Sequence, residues 1–146
     1  MITTVVIKNF KRIEQQKYLF TDFDLLAGWN NSGKSTILQA LAIWQFCIDE
    51  FHRAKRHGKS GIQIVLPNFT ALPVPEFNLL WTEKRDRKYP EAEGKKKPEY
   101  ILIQIDVTWR EADGQDKTFG VRLRYNSPQA VSAIPAEGWE VFLRFD

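Results

Sequence analysis

The residues best equipped for chemistry form one run, Gly28-Trp29-Asn30-Asn31-Ser32-Gly33-Lys34-Ser35. It satisfies G-x-x-x-x-G-K-[ST], the phosphate-cradling P-loop pattern. Gly28 and Gly33 carry no Cβ, so the chain can turn tightly and approach a ligand closely. Successive backbone N–H groups then converge into an anion nest. A helix starting there adds unpaired N–H groups and the positive end of its dipole. Lys34 can reach the β- and γ-phosphates of a nucleoside triphosphate, and the Ser35 hydroxyl can hold Mg²⁺. Lys34 is therefore the expected catalytic group, stabilising charge as water attacks the γ-phosphorus in line.

Such a loop works only between a strand and a helix, and the flanks supply both. Leu25-Leu26-Ala27 is a short apolar run before it, and an apolar-rich helical pattern follows from Thr36 to about Phe51. In that helix Ile37, Leu41, Trp44, Ile48 and Phe51 recur at spacings of four and three and form one stripe. Leu38, Ala42, Ile43, Phe46 and Cys47 cover much of the remainder, which predicts packing on more than one side. His52, Arg53, Lys55, Arg56 and His57 suit the negative end of the dipole, and Gly58 and Gly61 mark the stop.

Upstream, Ile2 to Phe10 reads as a strand rich in β-branched residues. Lys11 to Lys17 reads as a polar turn, and Tyr18-Leu19-Phe20 as a short returning strand. Downstream, Ile62 to Leu66 is a short strand. The prolines between Pro67 and Pro75 exclude a central strand or helix interior. Phe77, Leu79, Leu80 and Trp81 anchor an apolar contact, and Thr82 to Glu99 reads as an exposed loop. Tyr100 to Arg110 alternates strictly, with Ile101, Ile103, Ile105, Val107 and Trp109 on one face. Ala112-Asp113-Gly114-Gln115 is a turn. Thr118 to Tyr125 and Trp139 to Phe145 complete an expected antiparallel meander. The expected plan over 1–146 is thus hairpin, P-loop and helix (1–66), a Pro-rich and basic loop (67–99), and a β-subdomain (100–146).

The 146 residues, 43% apolar and 27% charged, describe a folded domain rather than a disordered chain. A formal charge of +3 permits nucleic-acid contact without demanding it. Arg53 to Lys59 and Lys84 to Lys97 are candidate phosphate contacts. One cysteine, Cys47, excludes a disulfide framework and reads as a buried apolar residue in a reducing compartment. A cytoplasmic location is expected, since no secretory leader or membrane-length apolar run is visible. His52, His57 and Cys47 do not make a zinc set, so no metal beyond Mg²⁺ is expected.

An ATPase also needs an acidic residue near Mg²⁺ at a strand end. Ile105-Asp106 lies inside an alternating strand and Phe145-Asp146 follows Arg144, so neither is an acceptable Walker B site. The absence suits a piece of a longer ATPase, or a chain that binds nucleotide without hydrolysing it alone.

Ile7-Lys8-Asn9-Phe10-Lys11-Arg12, followed by the run from Gly28 through Ser35 to Leu41, resembles the ATP-binding N-terminus of the RecF/SMC-like branch of ABC-type ATPases. That branch includes DNA-repair ATPases, OLD-family nucleases and phage-defence ATPases. The resemblance spans roughly residues 2 to 51. It implies an α/β P-loop NTPase fold, in this case an incomplete ABC-ATPase head. It implies that Gly28, Asn30, Asn31, Ser32, Gly33, Lys34, Ser35 and Thr36 contact the phosphates or Mg²⁺ of ATP. It places Lys11 or Arg12 beside the nucleotide. It further implies head-to-head homodimers, with DNA and a nuclease or other effector as candidate partners; the lack of a membrane-length apolar run leaves no membrane partner expected. The family's Leu-Ser-Gly-Gly signature, D-loop and switch His have no counterpart here, and Gln63 and Gln104 are the candidates for its Q-loop glutamine. Two other classes compete. A small P-loop kinase or GTPase is disfavoured by the hairpin ahead of the loop. A non-enzymatic interaction module is separated from both by nucleotide binding.

Overall fold

The structure, a computed structural model, describes residues 1–20, 31–54, 61–88 and 99–137, with helix side chains from Ser35 onward. Expectations for Gly28 to Asn30, Leu25 to Ala27, Lys55 to His57, Lys95 to Lys97 and Trp139 to Phe145 lie outside the described residues.

One six-stranded antiparallel sheet carries the fold. Its strands are β1 (Ile2–Phe10), β2 (Ile13–Leu19), β3 (Ile62–Val65), β6 (Ile103–Arg110), β7 (Asp116–Ser127) and β8 (Ala130–Pro135), in the order β2-β1-β6-β7-β8-β3. A separate two-stranded ribbon pairs β4 (Arg87–Lys88) with β5 (Glu99–Tyr100). The hairpin and the later strands therefore belong to one sheet, because β1 pairs with β6 in the register Val5↔Val107 and Ile7↔Ile105. Alternation then sets the two faces. Val5, Ile7, Ile103, Ile105, Val107, Val121 and Leu123 are buried on one face. Lys8, Gln104, Asp106, Thr108 and Arg122 alternate onto the other.

The long helix α1 (Asn31–Ala54) covers the apolar face. Its indole anchor is Trp44, whose Nε1–H donates to the Phe119 carbonyl at 3.0 Å while its ring meets Trp109 and Phe119 edge-on. The buried line on α1 is Ile37, Ala40, Ile43, Cys47 and Phe51. This corrects the expected stripe: Leu41, Trp44 and Ile48 flank the line rather than form it, and Leu38 is 47% exposed. α1 rests on the sheet and, through Phe46, on Phe69, while Leu38 and Ala42 face outward. It also begins five residues before the expected Thr36, with Asn31 to Ser35 already helical.

Other elements differ from expectation for identifiable reasons. The return strand β2 begins at Ile13, not Tyr18, and the turn is only Lys11-Arg12. As an exposed edge strand with polar side chains, β2 lacks the apolar alternation that reveals a strand. The strand expected from Tyr100 starts at Ile103 instead. The backbone of Ile101 and Leu102 is diverted: the Ile101 N–H donates to the Asp86 carbonyl, and both carbonyls accept from side chains. The strand expected over Thr118 to Tyr125 runs on through Ser127, and the chain turns at Pro128-Gln129 directly into β8. Nothing in the sequence reading anticipated β8. Its small residues are buried on both faces, so no polar alternation marks it.

A brace crosses the end of β1. Phe69 and Phe77 stack edge-on at 5.2 Å, and Phe46 of α1 adds a third ring at the same distance from Phe69. Trp81 is 2% exposed, donates its Nε1–H to the Ile101 carbonyl at 2.6 Å, and meets Tyr125 edge-on. The apolar anchor expected at Phe77 to Trp81 is this brace, built from short 3-10 turns. Leu79 is the exception and faces outward.

Candidate phosphate-binding site

The start of α1 meets the β1–β2 turn. Lys11, Arg12, Ile13, Tyr18, Ser35, Thr36 and Gln39 line one cleft of about 480 Å³. A second cavity of about 600 Å³ adjoins it and shares Lys11, Arg12, Ile13 and Tyr18. The turn itself is tight: Phe10 pairs with Ile13, so Lys11 and Arg12 are its two central residues. A two-residue hairpin needs a left-handed residue, and here it is Lys11, at φ 53°.

The donor set suits an anion. Among the described residues, the lining of the first cleft has two cations, two hydroxyls, a phenol and a carboxamide, and no carboxylate. The cleft sits at the N-terminal end of a 24-residue helix whose first turn carries no acidic residue. The positive dipole end is therefore not offset there. Burial raises the Tyr18 phenol above its ordinary range, so it stays a neutral donor beside the two cations.

Of the expected site residues, Lys11, Arg12, Ser35 and Thr36 come together in this cleft. Asn31, Ser32, Gly33 and Lys34 form the first helical residues, with only their backbone described. Gly28 and Asn30 lie outside the described residues. Tyr18 and Gln39 were not anticipated. The signal for Gln39 was available, since it follows Ser35 by four residues and so shares its helix face. Asp106, set aside above as a Walker B residue, accepts a 2.7 Å hydrogen bond from Arg122 on the sheet face away from α1. Gln104 lies on that same face, in register with Lys8 and Arg122, and Gln63 sits on the edge strand β3.

Other expectations can be placed. Cys47 is fully buried, and burial pushes its thiol well above the ordinary range. Arg53 pairs with Glu50, Arg85 with Glu83, and Arg87 with Asp86. His52 is exposed, with Nδ1 3.1 Å from the Ile48 carbonyl. No cluster of metal-ligating side chains occurs among the described residues. No described helix is long and apolar enough to cross a membrane.

A multi-stranded sheet with one long helix, and a phosphate-loop sequence running into that helix, is the mixed α/β plan of a P-loop NTPase-like domain. The chain belongs to the AAA ATPase domain family, whose model matches residues 1–109. That span takes in the hairpin, α1, the brace and β6. Nucleotide binding, and ATP as the nucleotide, follow from membership in general terms. No curated protein matches the chain.

Proposed function

We propose that the chain is the ATP–Mg²⁺-binding part of an ABC-type ATPase of the RecF/SMC-like branch, and that the cleft between the β1–β2 turn and α1 receives the triphosphate. The observation that carries this reading is the meeting of Lys11 and Arg12 with Ser35 and Thr36 in one cleft whose described lining holds no carboxylate. The loop N–H groups and Lys34 would hold the phosphates, and Ser35 would hold Mg²⁺. Mg²⁺ held there would neutralise charge on the phosphates. Lys11 and Arg12 would orient the tail by charge-assisted hydrogen bonds, each stronger than a neutral one.

Hydrolysis belongs to the whole protein in this reading. Asp106 is committed to Arg122 on the far face of the sheet, and the described lining of the cleft itself holds no carboxylate to position water. Head-to-head pairing of two copies would complete the site. DNA and a nuclease or other effector are the proposed partners, in repair or anti-phage defence, in line with the sequence resemblance.

Calorimetric titration of the chain with ATP and MgCl₂ tests the reading. Lys34→Ala should weaken binding by about tenfold to a hundredfold, the worth of hydrogen bonds to charged groups. The paired change Lys11→Ala/Arg12→Ala should weaken it by about tenfold. Saturable binding that ignores all three changes would remove the cleft from consideration.

A further inference from the structure

The non-glycine residues with left-handed backbone gather at one place among the described residues. Among the described residues, Asn9, Lys11, Glu83 and Lys84 are the non-glycine residues with positive φ, at 61°, 53°, 52° and 60°. Asn9 lies just before the β1–β2 turn and Lys11 is its first central residue, while Glu83 and Lys84 end the brace that lies against it. A non-glycine residue in this region costs roughly 1 kcal/mol or more. It persists only where its surroundings hold it.

The surroundings here are specific. The Asn9 side-chain amide donates to the Leu102 carbonyl at 2.8 Å. The Lys11 N–H donates to the Leu80 carbonyl at 2.8 Å. Phe10, between them, is fully buried and bridges to Trp81. Thr82 Oγ1 donates to the Ile13 carbonyl at 3.1 Å, just past the turn. The two residues held out by this arrangement are Lys11 and Arg12, which line the cleft with Ser35 and Thr36.

We infer that Asn9 is a positioning residue for nucleotide binding: its left-handed backbone and its bond to Leu102 aim the Lys11-Arg12 turn at the start of α1. The inference rests on the proposed function of the cleft. Asn9 does not line that cleft, so its effect passes through the two cations. Asparagine suits the post because it tolerates the left-handed region and brings a donor. Aspartate would keep the shape and lose the donor, and glycine would keep the backbone freedom and lose the bond.

A thermodynamic cycle on the full chain, read by calorimetric ATP–Mg²⁺ affinity, separates positioning from general support. Asn9→Ala should weaken ATP binding by about tenfold. Asn9→Asp should lose a similar factor, and Asn9→Gly less. In a Lys11→Ala/Arg12→Ala background, Asn9→Ala should cost little more, because residues acting through one another are not additive. Melting curves of the single variants provide the control for folding. Full additivity in the cycle, or wild-type affinity in Asn9→Ala, overturns the positioning role while leaving the cleft assignment intact. A wild-type chain with no ATP affinity overturns the cleft assignment and this inference with it.

Discussion

Gly120 lies against the carboxylate of Asp106, so closely that a Cβ at position 120 would overlap Oδ1 of that side chain. The same oxygen accepts the Arg122 guanidinium at 2.7 Å, and the two side chains are 23% and 25% exposed. The cross-strand pair Asp106↔Gly120 thus leaves room for a partly buried ion pair on the sheet face opposite α1.

Gly120→Ala should push the carboxylate off Arg122 and destabilise the fold by about 1–3 kcal/mol, the range for overpacking. In an Asp106→Ala background the worst overlap is gone, leaving Ala136 Cβ and Arg122 Nη1 each 3.0 Å from the new methyl, and the cost should shrink. Urea denaturation of the four members of this cycle measures the coupling. Equal costs in both backgrounds would mean that the glycine serves something other than the carboxylate.

Lys11 should show function opposing stability. Glycine enters the left-handed region freely, so Lys11→Gly should relieve backbone strain and stabilise the chain by about 0.5–1 kcal/mol after the entropy cost of glycine. The lost contact between Lys11 Nζ and the Phe10 ring, 5.9 Å from its centroid, offsets part of that gain. ATP affinity should fall several-fold at the same time, less than the about tenfold expected when Arg12 is lost with it. Thermal melting and calorimetry on the same preparations check both signs. A lower melting temperature would mean that the turn does not hold Lys11 under strain.

Cys47 should be inert in the folded chain. It is free, fully buried in α1, and its thiol is pushed up by burial, so the reactive thiolate is scarce at neutral pH. Labelling with a chromogenic disulfide should proceed only as fast as the helix opens and accelerate sharply in denaturant. Immediate stoichiometric labelling in native buffer would contradict the packing of α1 described above.

Legibility followed physical periodicity. β1, β6 and β7 could be read because one face is buried and the other polar, so alternation survives in the sequence. β8 could not, being buried on both faces, and β2 could not, being polar along an exposed edge. Of the cleft, Ser35 was visible through a motif, and Lys11, Arg12 and Thr36 through a family resemblance. Asn9 is legible only through that resemblance, because asparagine tolerates a left-handed φ without requiring one. Nor does sequence distance predict that β1 would pair with β6 rather than end its sheet at the hairpin.

That last pairing has a bearing on how the chain comes to be folded. The inner strand β1 has one neighbour that follows immediately and another roughly a hundred residues later, as in Val5 with Val107. During synthesis the hairpin leaves the ribosome long before its second partner exists, with Val5 and Ile7 bare along an open edge. Acquisition of the native topology must wait for the later strands, and non-local closure of this kind is slow. The phosphate-loop helix, which rests on the finished sheet, is then among the last parts to find its seat.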